Sequence, residues 1–179
     1  MRSYICTKHS LSDSIIDKVN TVALEQYLRA LPFHQRATTR KLIHHWIPTF
    51  ASSSRQGRES SPICHRCQSA VENSDHVLTC GDPRAVAQCS TLLQSTLQDL
   101  LKIGTPIQIV TVLEYKLSLV LNIPYKYNFQ PASTLPPPHH STLLTAICHQ
   151  NLIGWDCFLK GYTSIFWNTL VTEVLHSTI

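Results

Sequence analysis

Four residues in one short stretch have the types and spacing of a metal site. Cys64 and Cys67 are separated by two residues, His76 follows after eight more, and Cys80 after a further three. A CxxC turn lets both thiolates meet one ion while nearby backbone amides bond to the sulfurs. Residues four apart on a helical turn share a face about 5–6 Å apart, so His76 and Cys80 can close the set. Three thiolates and an imidazole form a closed, four-coordinate set that suits structural Zn²⁺ and leaves no position for a reacting water. The surrounding stretch offers only Ile63, Val71, Val77 and Leu78 as apolar residues to bury. Metal would therefore supply the missing core. Competing readings are four unconnected residues in a Cys-rich chain and a redox CxxC, although the strand-to-helix context of a redox motif is absent. His65, inside the CxxC turn, is expected to point outward.

The remaining thiols, Cys6, Cys89, Cys148 and Cys157, read as buried or simply tolerated, Cys89 packing like a small hydrophobe on the helix after Asp82, with Cys148 beside His149 as the alternative of a second metal site. An odd total of seven Cys argues against a disulfide framework. Template-directed polymerisation or two-metal nuclease chemistry needs converging carboxylates, whereas the eleven acids are scattered from Asp13 to Glu173 without an adjacent Asp pair. No GxSxG elbow, HExxH or phosphate-binding Gly loop occurs either. The expectation is a chain without catalysis. Asp75 beside His76 reads as a first-turn acid favoured by the helix dipole, not as half of a catalytic pair.

Charge is concentrated near the cluster. The chain of 179 residues has a net charge of only +4, yet Arg29 to Arg66 carries seven basic residues against Glu59 alone, a local +6 that leaves −2 elsewhere. Local density of this kind, not the total, attracts phosphate. Arg36, Arg40, Lys41, Arg55, Arg58 and Arg66 are the candidate nucleic-acid contacts, with Trp46 or His65 available to stack on a base. RNA and DNA are equally compatible, and nothing in the segment indicates sequence reading.

The elements that position these residues are mainly helical. Residues 1–50 read as N-terminal helices: one over 11–31 with Ser12 or Asp13 as cap and Pro32 as its stop, and one from about His34 to Trp46, halted by Pro48. Residues 51–62, rich in Ser, Arg, Gln and Gly, read as a flexible basic loop. Residues 63–82 form the knuckle, with Ser74 as the cap of its helical turn. In 83–130, Asp82 and Pro83 open a helix with Val86, Cys89, Leu93, Leu97 and Leu100 on one face. After Gly104 and Pro106, Leu113, Tyr115, Leu117, Leu119 and Leu121 alternate like a strand. Val110, Leu113, Leu117 and Val120 fit a helix instead, which is the preferred assignment. Residues 131–140, PASTLPPPHH, read as an extended Pro-rich linker. Residues 141–179 read as an aromatic C-terminal helical segment that Gly154 and Gly161 can interrupt. The fold class is thus mainly α, a small helical domain organised around one CCHC zinc knuckle, with a separate C-terminal helical segment. No stretch reaches the ~18 consecutive apolar residues needed to span a bilayer, and the opening MRSYICTKHS lacks a secretory core. The chain reads as intracellular, in nucleus or cytoplasm.

The segments RKLIHHWIPTF and SPICHRCQSAVENSDHVLTCGDP resemble the zinc-binding segment downstream of the polymerase in reverse transcriptases of non-LTR retrotransposons and in open reading frames derived from them. The resemblance rests on Lys41, Trp46, Pro48, Cys64, Cys67, Glu72, His76, Cys80 and Pro83, covering about Arg40 to Pro83. QNLIGWDCFLKGYTSIFW, Gln150 to Trp167, is similar to a Gly-Trp, Phe-Leu and Gly pattern that follows the cluster in some of these proteins. His45 stands where relatives often have Gly, and Tyr162 to Ile165 lacks the basic residues expected after Gly161. The resemblance implies metal ligation by Cys64, Cys67, His76 and Cys80 and a role in holding template RNA or target DNA. The alternatives are a zinc-stabilised interaction module that docks a protein partner through Trp155, Phe158 and Trp167 of the C-terminal helix, and a degenerate remnant without function.

Overall fold

In a computed structural model of the chain, residues 2–125 and 137–176 are described. They form helices α1 (Arg2–His9), α2 (Asp13–Ile16), α3 (Thr21–Ala30), α4 (Phe33–Ile43), α5 (Phe50–Arg55), α6 (Ser74–Thr79), α7 (Pro83–Lys102), α8 (Ile107–Val120), α9 (Pro137–Ile153), α10 (Trp155–Leu159) and α11 (Ile165–His176). Strand-like pairing among the described residues is limited to two isolated antiparallel bridges, Val19 with Ser164 and Ile63 with Val71.

The helices at the centre follow from local sequence. At the start of α7, Asp82 Oδ1 accepts the amides of Arg84 and Ala85, both at 3.1 Å, and Pro83 occupies a position whose amide would have no partner. Helix α8 adopts the 3.6-residue period, burying Ile109, Val110, Val112, Leu113 and Leu117. These side chains join Leu93 and Leu97 of α7, Leu143 and Ile147 of α9, Trp155 of α10 and Leu170 of α11 in the main core. Complete burial of a residue such as Leu143 or Leu170 stabilises the fold by about 1.5–3 kcal/mol. A second core gathers Leu11, Ile16, Val19, Ile43, Ile153, Cys157 and Tyr162. The third is small and consists of Cys64, Cys80 and Ala85, with Cys67 against them.

Several sequence expectations are corrected. The helix expected over 11–31 is broken between α2 and α3, because the backbone there pairs with the C-terminal segment: Asn20 N–H donates to the Thr163 carbonyl at 2.7 Å and Ile165 N–H to Lys18 at 2.9 Å. Asn20 then caps α3 by accepting the Ala23 amide. Helix α4 stops at Ile43, before Trp46, because His45 turns the chain at φ 54°. The loop expected over 51–62 contains most of α5, whose start is held by a reciprocal capping box between Thr49 and Ser52. Of the linker expected over 131–140, residues 131–136 lie outside the described residues, as do 126–130 and 177–179. Residues 137–140 form the first turn of α9, where proline is tolerated because its missing amide would be unpaired anyway. The C-terminal segment divides into α9, α10 and α11 at Gly154 and Gly161, with φ of 100° and 88°, in the left-handed region that glycine enters at least cost.

Candidate metal centre

The CxxC segment is closed by its own backbone. Cys64 N–H donates to the Ala70 carbonyl and Gln68 N–H to the Cys64 carbonyl, each at 2.8 Å, with Gln68 at φ 53° completing the turn. The Ile63–Val71 bridge fastens its base. His76 comes from α6, capped by Asn73, whose side chain accepts the His76 amide at 2.8 Å. The cap is therefore Asn73 and not Ser74, which is the first helical residue and is buried. Cys80 ends α6 with extended backbone, and Asn122 Nδ2 bonds to the neighbouring Thr79 carbonyl at 2.8 Å, tying this end of α6 to the end of α8.

The ligand atoms of Cys64, Cys67, His76 and Cys80 all lie within 4.8 Å of one another. Sγ of Cys64 and Sγ of Cys80 are 3.9 Å apart, and Sγ of Cys67 is 3.4 Å from Nε2 of His76. A tetrahedron with zinc–sulfur bonds of about 2.3 Å and zinc–nitrogen bonds of about 2.0–2.1 Å has sulfur–sulfur edges near ~3.8 Å and sulfur–nitrogen edges near ~3.5 Å. The two separations fit those edges, and the donor set fits a borderline-soft divalent ion. Cys64 and Cys80 are buried, whereas Cys67 and His76 are half-buried. Hydrogen bonds from the Ser69 hydroxyl and amide, joined by the Ala70 amide, pull the Cys67 thiol down to about 6. Burial pushes Cys80 the other way, partly opposed by the Asp82 amide.

The surroundings fix the loop to the rest of the molecule. Glu72, buried, accepts the Phe50 amide on its carboxylate at 3.3 Å and the Ala51 amide on its carbonyl at 3.1 Å, so it joins the knuckle to the start of α5. Asp75, in the first turn of α6, receives Lys160 Nζ at 2.8 Å, and Lys160 also reaches Asp156 at 3.3 Å. The Lys160 side chain is only 3% exposed. Burial works against its charge, yet the two carboxylates hold its pKa above the usual lysine value. For Asp75, burial is likewise outweighed by Lys160, which holds the carboxyl below its ordinary range. Its carboxylate is thus engaged away from His76, whose Nε2 faces Cys67. Sequence reasoning missed Lys160 and the structural role of Glu72. Lys160 carries no local sign of burial, whereas Glu72 is the acidic position of the pattern the segment resembles.

The candidate nucleic-acid residues are spread over several elements. Arg36 donates to the carbonyls of Arg29 and Leu31 at 2.9 and 3.0 Å, so its guanidinium caps the end of α3. Arg40 and Lys41 are exposed on the last turn of α4. Arg55 is exposed on α5 with Nε bonded to the Ala51 carbonyl, and Arg58 is exposed just beyond that helix. Arg66 is exposed on the CxxC turn. Partial desolvation opposes its charge, but the Cys64 sulfur raises its pKa overall. Trp46 is 60% exposed and stacks on His44 at 4.8 Å, whereas one face of His65 is covered by Phe50 at 3.8 Å. Trp155, Phe158 and Trp167 pack on one another at centroid distances of 5.4 to 6.3 Å within or against the main core.

Of the other thiols, Cys157 is buried and pushed up to about 12 by that burial, Cys6 and Cys89 are half-buried, and Cys148 is exposed. Among the described residues the Cys3His group is the one cluster of metal-ligating side chains, so Cys148 and His149 have no companion ligands. No described helix is long and apolar enough to cross a membrane. Comparisons with protein-family models, curated proteins and solved structures find no match to this chain.

Proposed function

We propose that the chain is a non-catalytic, nucleic-acid-binding accessory built on a structural zinc knuckle and derived from the reverse-transcriptase segment it resembles. The observation that carries this reading is the convergence of Cys64, Cys67, His76 and Cys80 within 4.8 Å. Zinc is the ion that a closed thiolate and imidazole set favours, and binding on the order of ten kcal/mol holds a loop whose own apolar cluster is small. Exposed Arg40, Lys41, Arg55, Arg58 and Arg66 supply the backbone attraction, and the open Trp46 ring supplies a stacking surface. The conformation of His45 supports the resemblance, since φ 54° is the backbone that glycine, common there in such segments, adopts without strain.

The test is fluorescence anisotropy of labelled single-stranded and duplex oligonucleotides with the zinc-loaded protein at rising salt. Affinity is expected to fall linearly on a log–log plot, with a slope no steeper than about −3.5 for a single strand if five cations contact phosphate. Arg40→Glu with Lys41→Glu is expected to weaken binding to every sequence alike. Absent binding, or an affinity indifferent to salt, overturns the reading.

A further inference from the structure

A second feature lies on the outer side of the metal loop. Between the Cys64–Cys67 turn and the first turns of α7 is a cleft of about 560 Å³, lined by His65, Arg66, Asp82, Arg84, Ala85 and Gln88. Ala85 is buried against Cys64 and Cys80, so the cleft and the metal cluster share a wall. Arg66 enters from the knuckle. Arg84 and Gln88 enter from α7, four residues apart and therefore on one helical face. His65, stacked on Phe50, is held at the rim. Among the described residues no hydrogen bond or ion pair occupies the Arg84 guanidinium or the Gln88 amide.

The chemistry of the lining selects an anion. The amides of Arg84 and Ala85 are already taken by Asp82, so an incoming group must be held by side chains and not by the helix terminus. Arg66 and Arg84 against Asp82 leave a balance of +1 around the cleft. A singly charged phosphodiester matches that balance better than a dianionic monoester. Each arginine fork can bond two oxygens at once, and Gln88 adds a neutral donor one turn further on.

We propose that this cleft binds one backbone phosphodiester of a nucleic acid between Arg66 and Arg84, with Gln88 as the neighbouring donor. The proposal rests on the nucleic-acid reading above and deepens it, by placing a backbone contact on the metal loop and α7 in addition to α4. Arg66 stands between Cys64 and Cys67 on a turn closed by its own backbone, so the cleft and the metal cluster share one loop.

Arg84→Ala tests it in the zinc-loaded full chain. Arg84 is exposed, so zinc content and melting temperature should match the unaltered protein, and the single-strand salt slope should become shallower by about 0.7, the share of one lost contact. Arg84→Lys should restore the slope but not the full affinity, since a point charge replaces a fork. An unchanged slope in Arg84→Ala, with Arg40→Glu and Lys41→Glu still weakening binding, overturns the cleft and leaves the nucleic-acid role standing. A second measurement follows the Arg66 and Arg84 Nε–H resonances during titration with dimethyl phosphate and, separately, inorganic phosphate. Shifts that saturate at lower dimethyl phosphate concentration support a diester cleft even if no oligonucleotide binds, in which case the nucleic-acid role falls alone. Absence of any shift overturns the cleft.

Discussion

Cys67 is more open to solvent than Cys64 or Cys80, and it is the ligand whose thiol the turn itself prepares. The Ser69 and Ala70 donors that lower its pKa to about 6 come from the loop that Cys64 closes through its own amide. Removing this one sulfur leaves the backbone turn intact but opens the tetrahedron. Cys67→Ser is expected to lower bound zinc from equimolar to a small fraction, measured by atomic absorption after dialysis. It should also destabilise the knuckle by several kcal/mol, on the order expected for a structural site losing a ligand. Retention of equimolar zinc in the variant would sink the assignment of these four residues as a metal centre. The ligands are legible in the sequence because their geometry is local: two intervening residues make the CxxC turn and three make the helical pair. The cap was misread by one residue for an equally local reason, since Asn73 and Ser74 are both good caps and only the backbone decides which of them remains outside the helix.

At the scale of elements, Gln150 determines how α9, α10 and α11 turn back on one another. Its side chain is fully buried and satisfied in both directions. The amide group donates to the carbonyls of Gly154 and Tyr162 at 3.0 and 3.1 Å, and the oxygen accepts the Ser164 amide at 3.0 Å and the Trp167 indole N–H at 3.2 Å. Every partner falls within the Gln150–Trp167 stretch whose pattern was recognisable as a string. The glycine breaks were legible because Gly154 and Gly161 interrupt a helical period, but a glutamine in line with Leu143, Ala146, Ile147 and Ile153 on the buried face of α9 gives no sign of a four-bond junction. The break between α2 and α3 was hidden for a related reason, because Val19 and Asn20 are drawn out of the helix by partners over 140 residues away in the chain. Gln150→Leu keeps the volume and strands the Tyr162 carbonyl and two N–H groups, whereas the Gly154 carbonyl keeps the Phe158 amide at 3.2 Å, so we expect a loss of about 2–5 kcal/mol. Urea denaturation should show a lower midpoint with an unchanged m-value. A difference below about 0.5 kcal/mol would show that water or a shifted backbone satisfies those groups instead.

Across the whole molecule, the N-terminal helices, the metal loop and the C-terminal helices meet at a cluster of titratable groups. His9 of α1 contacts the Tyr162 hydroxyl at 3.3 Å and packs edge-on to His45 at 4.9 Å, and His45 in turn lies 3.5 Å from Asp75 beside Lys160. The helical periods predict several of these elements separately, whereas the seam between them is set by long-range docking that no window of sequence contains. Burial pushes the His9 pKa from 6.5 down to about 4, helped by the positive charges of His45 and Lys160 and opposed by the Ile43 carbonyl. Burial also lowers His44 and His45. The folded state therefore binds fewer protons than the unfolded chain between about pH 6.5 and pH 4. Stability should be level above that window and fall as pH drops through it. The full shift of His9 corresponds to about 3 kcal/mol, but its half-exposed ring is screened by solvent, which reduces the expected contribution to about 1 kcal/mol. The candidate metal-ligating Cys and His side chains also take up protons in acid, so the informative comparison is between the unaltered protein and His9→Gln, both zinc-loaded, by denaturant unfolding from pH 7 to pH 4. The variant should lose about 1 kcal/mol less over that range. If instead the two curves run parallel, the acid response belongs to the metal centre and His9 is a packing residue of the seam.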